Sequence, residues 1–448
     1  MTKRILALVL CLVFAGCSST PKGTTKEEVR FFGETKVHRF KLANGLKVLL
    51  LEDPSAPTFA YQTWFDVGSK DETKGLTGLA HLFEHMMFKG TSTHPDGEFL
   101  RLLESAGSEG ENAFTDRDYT GYVENLPKTH LELVIKLESD RMVNLKIDDE
   151  ALAKEREVVQ NERRLRKENN PDGQLFELVH EMAFTKHPYQ WPVIGYEEDL
   201  NRATRKDCEN FYRRFYAPNN ATVVVVGDID PSATIDLIAK HYGPLPASPI
   251  ERNRPLKEPS QTEERRQTVR LKVGVEKLLV AYHVPDVNSI EVPVLEVLRN
   301  ILAGNKSSRL YKKLVDAGVA TNVDIINPDR SNPGLFLFFV NLQKNQRAEK
   351  ALAIIDSELK RIANSKVTPI EIERAISLHR FSLVNGLGSN QSKAQFLGYY
   401  ETIAGHFERG IEIVDALRAI DKFALSKVVQ NRFKKQNRSV VIALPQGK

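Results

Sequence analysis

Cysteine is scarce in this chain, with three residues among 448. Cys11 lies in an apolar run at the N-terminus and Cys17 follows that run, so only Cys208 belongs to the folded body. A disulfide needs two cysteines, and the body therefore has no internal disulfide. No candidate base accompanies Cys208, which lies between Asp207 and Glu209, and we expect a packed thiol rather than a nucleophile.

An excess of charge of one sign is also lacking, because 63 basic residues are balanced by 59 acidic residues and the net charge is +4. The sequence has neither a concentrated basic patch nor a module that combines basic and aromatic residues, so it indicates no nucleic-acid partner. Hydrophobic residues make up 41% of the chain, enough for more than one sizeable core. The length predicts two or three domains.

The N-terminal apolar run, residues 5–15, is too short to span a bilayer. Lys3 and Arg4 precede it, which is typical of an export signal. Residues 14–17 resemble the lipobox of bacterial lipoproteins, in which cleavage leaves the cysteine as the lipidated first residue. The sequence predicts a lipoprotein-type signal peptide over 1–17, lipidation of Cys17 and a flexible tether over 18–30. A plain signal peptide cut nearby is the alternative.

The residue after Cys17 predicts the location. Ser18 rather than aspartate follows the cysteine, as in lipoproteins that are sent to the outer membrane. We expect a protein on the periplasmic side of the bacterial envelope, held at a membrane by its lipid anchor.

The segment from His81 to His85 contains the pattern His-x-x-Glu-His. Two histidines four positions apart lie on one face of a helix, so both imidazoles can bind one metal ion. A catalytic zinc site has three protein ligands and an open position, and a later carboxylate can supply the third ligand. Zinc activates water, and Glu84 is predicted to act as the general base and not as a ligand. The alternative is a pair of hydrogen-bonded core histidines without a metal.

A longer resemblance surrounds this pattern. Residues 75–91 resemble the pitrilysin-type (M16) zinc peptidases, as do 112–120, 155–162, 192–195 and 215–228, so that the likeness extends across nearly all the chain. The resemblance implies that Glu162 is the third ligand of one zinc ion per chain. It also implies that Glu155, which shares a helix face with Glu162, supports a ligand. The alternative for Glu155 is a solvated helix face.

A substrate-binding strand is implied by the same resemblance. It consists of Asn112, Ala113, Phe114 and Thr115. An exposed strand edge offers unpaired N–H and C=O groups, to which an extended peptide can add as a further strand. The alternative is an ordinary strand within a sheet.

Repeated patterns predict two similar halves. Asn44-Gly45 separates two apolar runs as in a hairpin, and residues 219–224 correspond to residues 436–441. We expect an α/β (α+β) fold of two M16-type halves, each a mostly antiparallel sheet covered by helices. The predicted domains are 31–243, which carries the zinc residues, and 267–448, joined by a proline-rich linker over 244–266.

The second half departs from the family pattern. Many members have an arginine and, seven residues later, a tyrosine that bind the substrate carbonyl and the oxyanion, whereas this chain has Val315 and Thr321. The sequence therefore predicts a zinc endopeptidase for extended or unfolded polypeptides that forms the catalytic half of a two-chain clamshell. Its partner would be an M16-like subunit or a second copy. A non-catalytic M16-fold scaffold at the envelope is the alternative.

We expect Cys17→Ser to release the protein from the membrane or to stall its maturation, because serine cannot carry the lipid. Fractionation of cells that express wild type and variant measures this. Wild type found entirely soluble in the periplasm would contradict the anchor and favour simple secretion.

Overall fold

A computed structural model describes residues 21–252 and 257–446. The predicted signal peptide and Cys17 lie outside these ranges. None of the helices in the described ranges is long and apolar enough to cross a membrane.

Within the described residues, the first half contains seven strands and eight α-helices. The strands are β1 (Thr25–Arg30), β2 (Lys36–Lys41), β3 (Lys47–Glu52), β4 (Thr58–Phe65), β5 (Asn112–Thr115), β6 (Thr120–Pro127) and β7 (Ala221–Gly227). The helices are α1 (Leu79–Met86), α2 (Glu98–Ser105), α3 (Leu131–Asn144), α4 (Asp149–Arg163), α5 (Pro171–Ala183), α6 (Glu197–Arg202), α7 (Arg205–Phe215) and α8 (Pro231–Tyr242). A π-helical turn, Arg164–Glu168, continues α4.

In the part of the second half that the structure describes, there are five strands and six α-helices. The strands are β8 (Arg265–Leu271), β9 (Lys277–Val284), β10 (Ala320–Ile326), β11 (Gly334–Leu342) and β12 (Arg438–Pro445). The helices are α9 (Val292–Ala303), α10 (Ala348–Ala363), α11 (Pro369–Gly386), α12 (Asn390–Ile403), α13 (Glu408–Ala416) and α14 (Lys422–Arg432).

Both sheets repeat one topology. The first has the order β1-β2-β3-β7-β4-β6-β5 and the second the order β10-β11-β9-β12-β8. In the first, β3 and β7 are parallel and every other pair is antiparallel; in the second, β8 and β12 form the matching parallel pair. Read from that pair, β3-β7-β4-β6-β5 corresponds strand by strand to β8-β12-β9-β11-β10. The expected fold of two mostly antiparallel, helix-covered halves is confirmed.

One prediction for the N-terminal segment is wrong. The polar composition of 18–30 predicted a flexible tether, yet Thr25–Arg30 forms β1 and pairs antiparallel with β2 over all six residues. The strand is exposed along most of its length, so backbone pairing at the sheet edge, rather than burial, holds it. The sheet edge that receives this strand cannot be read from the composition of the segment.

One helix of each half packs on the sheet of the other half. Leu175 and Val179 of α5 pack in one core with Leu279, Leu337 and Val441 of the second sheet. Conversely, α12 packs on β4 and β7 of the first sheet. The interlocked helices join the two halves through buried apolar surface, which contributes about 25 cal/mol for each Å² removed from water.

The covering of the first sheet by α12 requires a glycine. Ala394 and Leu397 pack there against Trp64 and Val224. A Cβ atom on Gly398 would lie 2.1 Å from Nε1 of Trp64, so only glycine allows α12 to approach this closely.

The buried carboxylate of Asp118, in the β5–β6 turn, forms contacts with both halves. Asp118 is 1% exposed, and it accepts hydrogen bonds from the hydroxyls of Tyr189, at 2.6 Å, and Ser331. The ammonium group of Lys70 lies 3.5 Å from the same carboxylate and donates to the carbonyl oxygen of Asp118 at 2.7 Å. Ser331 belongs to the second half, so Asp118 fixes the end of β5 relative to both halves.

Candidate active site

The helix α1 presents its two histidines at the boundary between core and cleft. Leu79, Leu82, Phe83 and Met86 are buried and anchor the opposite side of the helix. Gly78 precedes α1 at φ +89°, and a Cβ atom there would lie 2.7 Å from the carbonyl oxygen of Ile194. Glycine therefore sets the position from which the helix starts.

The side chains of His81, His85 and Glu162 converge. Nε2 of His81 lies 3.7 Å from Oε1 of Glu162, and Nε2 of His85 lies 3.4 Å from Oε2. One potential ligand atom from each residue lies within 4.8 Å of the other two. Glu162 comes from the last turn of α4, 77 positions beyond His85, so the packing of α4 against α1 creates the cluster.

These distances fit a zinc ion. Ligands held about 2.0–2.1 Å from zinc in a tetrahedron lie roughly 3.4 Å from one another, close to the two separations found here. The donor set of two imidazole nitrogens and one carboxylate is that of catalytic zinc sites with an open fourth position. His81, His85 and Glu162 could therefore hold zinc with little rearrangement.

Glu155 lies behind His85, as a supporting residue should. One carboxylate oxygen of Glu155 lies 3.3 Å from Nδ1 of His85, and the other lies 2.9 Å from Nζ of Lys89. A carboxylate on the outer nitrogen of a histidine fixes the ring orientation and leaves the other nitrogen available to a metal. Nδ1 of His81 has no comparable partner among the described residues.

Charge is unevenly distributed over the cluster without metal. Burial lowers the pKa of His81 to about 4. Burial acts in the same direction on His85, but its hydrogen bonds with Glu155 and Glu162 prevail and raise its pKa to about 9. The hydrogen bond with His85 lowers the pKa of Glu162. The cluster thus pairs an anionic carboxylate with one cationic and one neutral imidazole.

Glu84 lies beside the cluster without joining it. Burial raises the pKa of its carboxyl group, although the Thr115 hydroxyl acts in the opposite direction. Its Oε2 is buried and has no hydrogen-bond partner in the described part of the chain. An unpaired buried carboxylate oxygen beside this cluster is free to accept a proton.

A cleft of about 780 Å³ runs past this cluster. One wall is β5, which pairs only with β6 and forms the end of the first sheet, so its outer edge is unpaired within the described residues. The opposite wall comes from the second half and includes Ile326, Pro328 and Leu337. The predicted strand of Asn112, Ala113, Phe114 and Thr115 is therefore an edge strand in the same cleft as His81 and Glu84.

The cleft also contains cations that the sequence reasoning missed. They are Arg117, Arg166, Lys167 and Arg330. Arg117 lies between two aspartates, a pattern typical of an ordinary turn. Lys167 lies in a charged stretch that is typical of a solvated helix. Only their shared position in the cleft distinguishes these cations from ordinary surface residues.

Val315 and Thr321 do not line the cleft. Val315 packs against the core of the second half, and the Thr321 hydroxyl donates to the carbonyl oxygen of Asn341 at 3.2 Å. Arg309, a few residues before Val315, forms an ion pair with Glu371 at 2.7 Å and does not line the cleft either. Cys208 is buried, and burial raises its pKa to about 12, as expected of a packed thiol.

Two repeated sheets, with a histidine-bearing helix on the first of them, define an M16-type architecture. Residues 47–197 match the family model described as insulinase (peptidase family M16), and residues 202–378 match the model described as peptidase M16 inactive domain. The chain belongs to peptidase family M16. All the clustered histidines and glutamates lie in the part that matches the first model.

Relatives of this chain are named zinc proteases. It is 30% identical over 365 residues to zinc protease PqqE of Helicobacter pylori, covering 80% of this chain and 82% of that protein. It is 25% identical over 410 residues to mitochondrial-processing peptidase subunit beta of Lentinula edodes, covering 87% and 86%. A solved protease structure from Helicobacter pylori superposes with a TM-score of 0.87 at 27% identity, covering 94% of this chain and 100% of that one.

We expect the purified protein to retain about one zinc ion per chain, and the His81→Ala, His85→Ala double variant to retain almost none, because two of three ligands are lost. Metal analysis after dialysis against metal-free buffer measures this. The matched control is His130→Ala, His406→Ala, which removes two histidines outside the cluster. A folded double variant with full zinc content would contradict the ligand assignment.

Proposed function

We propose that the chain is a zinc-dependent endopeptidase that cuts extended or unfolded polypeptides. The observation that carries this proposal is the convergence of His81, His85 and Glu162 in a cleft bounded by an edge strand. Zinc bound there would polarise a peptide carbonyl and activate water. The names of the relatives support a zinc protease as the class of protein.

The edge strand β5 orients the substrate in this proposal. Its unpaired backbone groups accept an extended peptide as an additional strand, which binds many sequences because backbone atoms are common to all of them. The peptide then lies beside Glu84, whose pKa is raised by burial. Glu84 takes a proton from the attacking water and gives it to the leaving amine.

We expect Glu84→Gln to lower kcat by a factor of about 10² to 10⁴, the usual contribution of a general base, while zinc content and fold stay unchanged. Glutamine has nearly the same shape but cannot accept the proton. The measurement is turnover of a quenched fluorescent peptide library at saturating zinc. Glu157→Gln makes the same chemical change on the exposed side of α4 and is the matched control. Equal turnover by wild type and Glu84→Gln would remove Glu84 as the base.

We further propose that full activity needs a second M16-like chain, either a zinc-free subunit or another copy. At the two positions where many family members have donors to the substrate carbonyl and the oxyanion, this chain has Val315 and Thr321, and neither residue lines the cleft to bind a carbonyl or an oxyanion. One such donor typically contributes about 3–4 kcal/mol to transition-state stabilisation. The name subunit beta of one relative is consistent with paired chains in the family.

Addition of a zinc-free M16-like partner that carries the arginine and tyrosine should raise kcat more than it lowers KM, because these donors act on the transition state. The assay compares this chain alone, with the partner, and with a partner in which both residues are replaced. Zinc alone leaves a weak basal rate. High activity of the isolated chain that no partner changes would contradict the proposal.

A further inference from the structure

Arg117 and Lys167 line the cleft without an acidic partner. The guanidinium of Arg117 donates from Nε to the carbonyl oxygen of Tyr189 at 3.3 Å, and no ion pair involves either cation in the described ranges. Each is at least partly buried, unlike the solvated cations of an ordinary surface.

The carboxylates nearby are already engaged with other cations. Asp116 pairs with Arg330 at 2.8 Å, Glu177 with Arg163 at 2.9 Å, and Glu162 with Arg166 at 2.9 Å. Arg117 and Lys167 are therefore left as two cationic groups in one cleft. A protein seldom buries charge without a partner, because desolvation disfavours the charged form.

Burial and neighbouring cations lower the pKa values of both residues. Burial, together with nearby Arg330, lowers the pKa of Arg117 to about 10. Burial also lowers the pKa of Lys167, and although Glu177 opposes this shift, Arg117 adds to it. Positive charge in the cleft thus disfavours the charged form of each residue, and a bound anion would relieve that repulsion.

Close packing fixes the backbone at both Arg117 and Lys167. The carbonyl oxygen of Arg117 accepts from the N–H of Lys70 at 3.0 Å, and a Cβ atom on Gly68 would lie 2.6 Å from the carbonyl carbon of Arg117. Lys167 lies in the π-helical turn after α4, and a Cβ atom on Gly173 would lie 3.2 Å from its Cα. Single π-helical turns within helices are frequent at functional sites. The two backbones are fixed by contacts that only glycine permits.

We propose that Arg117 and Lys167 form a subsite for a carboxylate of the peptide that lies along β5. This inference rests on the proposed function, which places a peptide in the cleft. Arg117 comes two residues after Thr115, the last residue of β5, so the carboxylate lies within a few residues of the bond to be cut at about 3.3 Å per residue of strand. The carboxylate can belong to a glutamate or aspartate side chain or to the C-terminus of the substrate.

Peptide binding to zinc-loaded Glu84→Gln protein tests the subsite without cleavage. Fluorescence anisotropy compares amidated peptides in which one glutamate is moved through successive positions, the glutamine counterpart, and that counterpart with a free carboxyl terminus. We expect a carboxylate at the right place to tighten binding about tenfold, as one charge-assisted hydrogen bond does. A gain from glutamate alone identifies a side-chain site, and a gain from the free terminus alone identifies a terminal site. Equal binding of all the peptides would overturn the subsite.

A charge reversal separates recognition from damage to the fold. Lys167→Glu should reverse the preference, so that a lysine peptide binds more tightly than the glutamate peptide, and misfolding cannot produce such a reversal. Lys154→Glu, on α4 and exposed, makes the same change in net charge and should keep the wild-type preference. Arg117→Gln should also weaken the preference. An unchanged preference in Lys167→Glu, or the same change in Lys154→Glu, would contradict a local site.

Cleavage assays of wild type distinguish the two proposals. Preference for a carboxylate in binding, with no cleavage of any peptide either alone or with an M16-like partner, would overturn the proposed function and support the subsite. Cleavage that depends on Glu84 but ignores the carboxylate would overturn the subsite alone.

Discussion

The shape of the cleft depends on the contacts of one buried carboxylate. Asp118 accepts hydrogen bonds from Tyr189, in the segment after α5, and from Ser331, in the second half. It follows β5 by three residues, so these bonds fix the free edge of that strand relative to the histidines of α1 and to the opposite wall. The cationic groups of Lys70 and Arg330 lie 3.5 and 3.7 Å from the same carboxylate. They compensate for its burial, since an ion taken out of water costs several kcal/mol unless its partners replace the lost hydration.

The cleft contains charges of both signs. The carboxylates of Glu84 and Glu162 lie at the histidine cluster, where they suit a metal cation and a proton. Arg117 and Lys167 line the same cleft and suit an anion. In the proposed function the edge of β5 binds peptides of any sequence, because it offers backbone atoms. Selectivity in such a site must come from side chains, and the two cations are placed to supply it.

Local sequence patterns predicted the features that depend on residues close to one another along the chain. The spacing of His81 and His85 places both rings on one side of α1, as helical geometry requires. The correspondence between residues 219–224 and 436–441 also reflects one repeated contact. Nδ2 of Asn220 donates to the carbonyl oxygen five residues before it at 2.8 Å, and Nδ2 of Asn437 does the same at 2.6 Å. Glu162 was implied by family resemblance, because a distance of 77 positions along the chain has no geometric meaning by itself.

The sequence by itself determined the histidine helix, the repeated halves and the strand Asn112–Thr115. Only the tertiary structure decided that Thr25–Arg30 adds a strand to the first sheet, that α5 and α12 cover each other's halves, and that Arg117 and Lys167 share a cleft. The reason is physical. A period of two or of 3.6 residues shows which side of an element is apolar, but not which distant surface will cover it. The meeting of side chains fifty positions apart depends on how whole elements pack, and no local pattern encodes that arrangement.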